Sequence, residues 1–188
     1  ASQAWREALH GFGWLHDLRA EGSAQAQQAG VAMIADWLEG QDRWQHASWS
    51  APVLGARLAA WLGNARFLLP AMEPSLQARL ITSIARQARH LSRLVPGGMT
   101  GLEAITVYQG LIYSALNLPD DGPKNVALAL SLLCRQLNED ILPDGGHRCR
   151  APLPMLEALT RLLDIRSALT MQQIACPPEL DWAVKQMV

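Results

Sequence analysis

Apolar residues recur every three to four positions along almost the whole chain, Pro and Gly interrupt that phase at intervals, and no segment alternates with period two. This pattern admits helices and leaves nothing to build a sheet from. Trp5, Leu9, Phe12, Leu15 and Leu18 share one predicted helix face, broken by Gly22-Ser23. Val31, Ile34, Trp37 and Leu38 mark a second helix ending near Gly40, and residues 40–50 carry no period and read as a loop. Ser50 is an expected N-cap, with Pro52 tolerated in the first turn, for a third helix carrying Leu54, Leu58, Trp61, Leu62 and Leu68 and stopped by Pro70. A fourth opens at Pro74-Ser75 and closes at Pro96-Gly97-Gly98. Thr100 and Glu103 have capping-box spacing for a fifth helix reaching about Asn117. Asp121-Gly122-Pro123 starts a sixth, Pro152 a seventh, and Pro177-Pro178 the last.

Helices of this length joined by short turns favour antiparallel neighbours. The expected fold class is therefore all-α: antiparallel helical hairpins within a single helical domain spanning 1–188. No repeat at a fixed period appears, which weighs against solenoid arrays.

Composition narrows the function. Hydrophobic residues make up 49% of the 188 residues and charged residues 18%, which is globular usage. The formal net charge is −1 and no dense Lys/Arg cluster occurs, so no nucleic-acid partner is expected. Positive charge is nearly all Arg, the only lysines being Lys124 and Lys185; Arg binds carboxylates and phosphates in a planar, bidentate way. No apolar run reaches the length of a membrane span. Three widely spaced cysteines, Cys134, Cys149 and Cys176, argue against a disulfide framework and against a C-x-x-C zinc site. No P-loop, H-E-x-x-H or Ser-His-Asp pattern occurs, and no cofactor or metal is expected.

The segment Asp144-Gly145-Gly146-His147-Arg148-Cys149-Arg150 is the richest in chemistry. Adjacent glycines allow positive φ or a close backbone approach, and a His, two Arg and an Asp together are suited to an acidic group and to proton movement. A polar inter-helix loop is the competing reading. Trp44 and Trp49, beside His46 in an aperiodic loop, are candidates for stacking on a sugar ring, whereas Trp5, Trp37 and Trp61 lie in apolar helical phase and read as core. Tyr108 and Tyr113 are candidate phenolic bases, which would require a neighbouring cation. Arg86, Arg89, His90 and Arg93 form a basic stripe at the end of the fourth helix, where the macrodipole favours cations.

Three stretches carry a resemblance: Gly11-Phe12-Gly13-Trp14-Leu15-His16-Asp17-Leu18-Arg19, Arg57-Leu58-Ala59-Ala60-Trp61 and, most specifically, Ile141-Leu142-Pro143-Asp144-Gly145-Gly146-His147. Together they resemble the N-terminal domain of heparinase II/III-type proteins. The resemblance implies part of an incomplete α/α toroid, a following β-sandwich domain as partner, and eliminative cleavage of an acidic, uronate-containing polysaccharide. It allows a periplasmic location, while the odd cysteine count favours the cytoplasm. It also implies a site at His147 and the Gly145-Gly146 turn; joined to the reading of the residues, the catalytic candidates are His147, Tyr108 and Tyr113, and the candidate substrate contacts are Asp144, Gly145, Gly146, Arg148, Arg150, Trp44 and Trp49. The sequence departs from the family pattern at Gly101-Leu102-Glu103, where an Asn-His pair is expected, and at Pro154-Met155, where a Tyr-His pair is expected. A non-catalytic helical module binding a glycan or a protein is the alternative.

Overall fold

A computed structural model describes residues 2–41, 48–95, 99–118 and 122–188, with only the backbone of 122 and 123. Trp44, His46, the Pro96-Gly97-Gly98 stop and the Asp121 start lie outside the described residues. The described residues form ten α-helices and no strand, apart from an isolated antiparallel bridge between Ile141 and His147. The all-α expectation holds. Among the described residues no helix is long and apolar enough to cross a membrane. Two compact units emerge, Ala1–Leu94 and Val95–Val188.

The first unit holds α1 (Gln3–Gly11), α2 (Leu15–Glu21), α3 (Ala24–Gly40), α4 (Ala51–Gly63), the short α5 (Ala65–Leu68), a 3-10 turn (Leu69–Ala71) and α6 (Pro74–Leu94). Its start differs from the sequence expectation. Phe12 adopts a left-handed conformation (φ 58°) that breaks the predicted first helix in two. Trp5 and Leu9 therefore point to solvent, 56% and 40% exposed, rather than into the core, while Phe12 and Leu15 turn inward. Gly22 and Ser23 behave as read: Gly22 closes α2 in the left-handed region and the Ser23 hydroxyl accepts from the Ala26 N–H. The third predicted helix stops early, at Asn64, whose side-chain amide donates to the Ala60 carbonyl at 2.7 Å.

At the centre of this unit Arg57 has no exposed surface. Its guanidinium lies 4.3 Å from the Trp37 ring centroid and 5.7 Å from that of Trp61. It donates to Gln87 Oε1 at 2.7 Å and to the carbonyls of His10 and Ser48, each at 2.9 Å. Phe12, Trp37 and Trp61 meet one another edge to face around it, with centroids 5.1 to 6.2 Å apart. One cation thus joins α1, α4, α6 and the residues just before α4.

The second unit holds α7 (Gly101–Asn117), α8 (Gly122–Asp140), α9 (Pro152–Met171) and α10 (Pro178–Met187). Central α7 packs on α8 and α9, and α10 packs on both of those. Every residue of α7 from Ala104 to Gly110 is buried, which a helix covered on several sides requires. Thr100 stands at the N-cap without making the predicted side-chain bond; Gly101, at φ +62°, carries the turn into the helix.

Two predictions follow from the Arg57 centre. Arg57→Lys should destabilise the chain by about 3 kcal/mol in urea unfolding, because an ammonium cannot serve Gln87 and two carbonyls while lying flat on Trp37; a change near zero would show that the centre is not structural. His10 Nδ1 accepts the Trp37 indole N–H at 3.2 Å. Burial, then Arg57 and Arg6, hold the His10 pKa below its ordinary 6.5. The folded state thus favours the neutral ring, so stability is full above pH 6.5 and falls as pH drops below it, down to the lowered value. The slope of unfolding free energy with pH in this range should flatten in His10→Gln.

Candidate functional site

The loop between α8 and α9 is set by local bonds that its sequence dictates. The Leu142 N–H donates to the Gly146 carbonyl and the Gly145 N–H to the Leu142 carbonyl, both at 2.9 Å, closing a tight turn. Gly145 takes φ +78°, and a Cβ there would collide with the Gln186 carbonyl of α10. This position needs glycine on both counts. The Asp144 carboxylate brackets the turn, accepting from the Gly146 N–H at 3.0 Å and from Arg150 Nη1 at 2.8 Å. Those two bonds, Arg150 first, hold the Asp144 carboxyl below its usual range.

His147, a catalytic candidate in the sequence, is enclosed; it is 3% exposed. The bridge to Ile141 and the Arg148 N–H bond to the Asp140 carbonyl at 2.7 Å fold it back onto the end of α8. Its Nε2 lies 3.9 Å from Asp140 Oδ2, and that carboxylate, 1% exposed, accepts from Gln136 Nε2 at 2.8 Å. Its Nδ1 accepts the Cys149 N–H at 3.2 Å and stands 3.0 Å from Cys149 Sγ. A Cβ on Gly101 would stand 3.6 Å from the ring's Cε1, so the start of α7 borders the ring. The stretch where the resemblance expects an Asn-His pair therefore adjoins His147.

The other candidates scatter. Tyr108 is buried, and the Tyr113 hydroxyl reaches the Asp164 carbonyl in α9 at 3.3 Å. Tyr113 stands about 18 Å along α7 from Gly101, at 1.5 Å of rise per residue, too far along the helix to serve this loop. Arg148 is exposed, while Arg150 is engaged by Asp144. Trp49 is no open platform: it is 5% exposed, with Arg86 5.6 Å and the His90 ring 5.6 Å from its centroid. Its indole face meets the Arg86 guanidinium of its own chain, and the His90 ring packs against it at a steep angle. Among the described residues no group of three His, Cys, Asp or Glu converges as a metal site would need.

Two features escaped the sequence reading. Arg79 extends the basic stripe on α6, standing seven residues before Arg86 and fourteen before Arg93, a spacing that returns to nearly the same helix face. Beside it an open recess of about 290 Å³ is lined by Leu38, Ala78, Arg79, Thr82 and Ser83. The second feature is Cys149, placed against His147 by a two-residue turn.

The class of fold follows from comparison with solved structures: heparinase III is similar at a TM-score of 0.76 and 16% identity, over 100% of this chain and 30% of that one. This likeness shows the helical fold of that enzyme. Among curated proteins, FtsZ-localized protein C of Caulobacter vibrioides (strain NA1000 / CB15N) is 31% identical over 186 residues, which is 99% of this chain and 32% of that protein. The chain spans about a third of the length of the curated relative it matches. No family model matches the chain.

The loop yields a direct expectation. Gly145→Ala should lower the thermal midpoint by several degrees, because both the positive φ and the Gln186 carbonyl oppose a side chain. Gly146→Ala should cost much less, since its Cβ would meet only the exposed Arg150 and Asp144 side chains, at 3.1 Å each. Equal losses in the two variants would contradict this assignment.

Proposed function

We propose that this chain is a helical binding module for an acidic polysaccharide and that it does not perform elimination by itself. The observation that carries the reading is α6. Along its 21 residues it places Arg79, Arg86, Arg89, His90 and Arg93 and no acidic residue, in a chain whose formal net charge is −1. A run of guanidiniums at helical spacing suits a linear polymer of carboxylates or sulfates, each contact being bidentate. The recess beside Arg79 offers a place for a sugar ring. Likeness to the heparinase III fold supports the same ligand class. Against catalysis stand three placements: His147 is buried, Tyr113 bonds a backbone carbonyl, and Arg150 is engaged by Asp144. Elimination needs an accessible base and a cation for the uronate carboxylate.

Identity with FtsZ-localized protein C supports a second reading, in which the module serves within a longer protein that localises with FtsZ. The two readings are compatible, since one concerns the ligand and the other the place of action.

Titration of the chain with uronate oligosaccharides should show binding that weakens as salt rises. Arg79→Ala with Arg93→Ala should weaken it roughly tenfold, the order of two solvent-exposed ion pairs, whereas Arg148→Ala should change it little. No ultraviolet absorbance of an unsaturated product should develop. Absence of binding, or loss with the Arg148 variant instead, would overturn the assignment to α6. A fluorescent fusion that fails to localise with FtsZ in Caulobacter vibrioides would remove the second reading alone.

A further inference from the structure

We propose that Cys149 is a modification site, a nucleophilic thiol that hydroperoxides oxidise to the sulfenic acid with His147 as its base. The proposal is independent of the glycan reading. Cys149 Sγ stands 3.0 Å from His147 Nδ1, within reach of direct proton transfer. The backbone sets the resting geometry: the Arg150 N–H donates to the His147 carbonyl at 2.8 Å, and the Cys149 N–H donates to the same Nδ1 at 3.2 Å, a bond that gives way when Nδ1 takes the thiol proton. With Nδ1 as acceptor, the neutral ring carries its proton on Nε2. That nitrogen is buried, has no hydrogen-bond partner, and faces Asp140 Oδ2 at 3.9 Å.

This order of thiol, imidazole and buried carboxylate has a chemical consequence. When Nδ1 takes the thiol proton, the ring becomes a cation between a thiolate and a carboxylate. Asp140, buried with the ring, compensates that charge, and Gln136 orients the carboxylate. An unpartnered buried Nε2 is costly while the ring is neutral and is put to use once it is charged. Cys149 itself is exposed, with the exposed Arg148 next to it in sequence, so small reagents reach the sulfur.

The step balances without a cofactor. The thiolate attacks one oxygen of a hydroperoxide, an S–O bond forms, and the O–O bond breaks. Sulfur is oxidised by two electrons and the peroxide is reduced. The leaving oxygen takes the proton held by His147 and departs as water or an alcohol, leaving Cys149 as the sulfenic acid.

The other two cysteines are internal references. Burial, then Glu179, pushes the Cys134 thiol up to about 11, and burial raises Cys176 as well. The folded chain should be treated with hydrogen peroxide at pH 7, the sulfenic acid trapped with dimedone, and each cysteine quantified by peptide mass spectrometry, with the same treatment in urea. Exposure alone lets a folded cysteine react at most as fast as in urea. We expect Cys149 to be labelled at least tenfold faster than Cys134 and Cys176 in the folded chain, and several-fold faster than Cys149 in urea. His147→Gln should abolish the gain over urea while Cys149 remains the most labelled site. A folded rate for Cys149 at or below its urea rate overturns the proposal, whether or not the His147 variant folds.

Discussion

The first unit is organised by a charge that has nowhere to go. The Arg57 guanidinium is removed from water and has to be satisfied where it lies, by a side-chain amide from α6, by carbonyls of His10 and Ser48, and by the faces of two indoles. Each partner comes from a different stretch of chain, so the cation specifies their arrangement as well as their proximity. Aliphatic contacts tolerate sliding; a planar donor fork with several acceptors does not. The edge-to-face tryptophans around it fill the space that the fork leaves. Trp37 and Trp61 are therefore core residues of a specific kind, holding a cation as well as excluding water.

The second unit depends on a backbone constraint. The chain leaves α8, reverses within a few residues and enters α9 beneath α10, and Gly145 occupies the point where α10 approaches too closely for any side chain. Asp144 and the Gly145-Gly146 turn are then a structural device, closed by Arg150. His147, immediately after it, is carried inward to Asp140, and Cys149 is left at the surface against the ring. What resembles a lyase motif in sequence is here a rigid turn with a thiol and imidazole pair at its end. The same turn that carries the resemblance buries the histidine.

Fold and chemistry answer to different constraints. Fold likeness at 16% identity follows from helix packing, which many sequences satisfy. Chemistry follows from a few side chains in mutual reach. Around His147 stand Gly101, a buried Asp140 and Cys149. Positive charge has meanwhile collected on α6, a surface that needs no precise pocket to attract an anionic polymer.

By itself the sequence determined the helices and their punctuation. Gly22-Ser23, Pro74, Pro152 and Pro178 act where they were read, because capping and proline geometry are local. It also determined the need for a Gly turn after Asp144 and the core roles of Trp37 and Trp61. Only the tertiary structure decided which way side chains near helix ends and in loops face. Trp5 has the spacing of a core residue yet is exposed, because a single left-handed residue, Phe12, redirects the helix before it. Trp49 reads as a loop platform yet is buried, because Arg86 and His90 on α6 come to lie against it. His147 reads as part of a polar loop yet is enclosed, because Asp140 precedes the turn and the chain doubles back onto it. Periodicity reports which face of a helix is apolar. The burial of a residue at a helix end or in a loop depends on what arrives from elsewhere in the chain, and no local pattern encodes that.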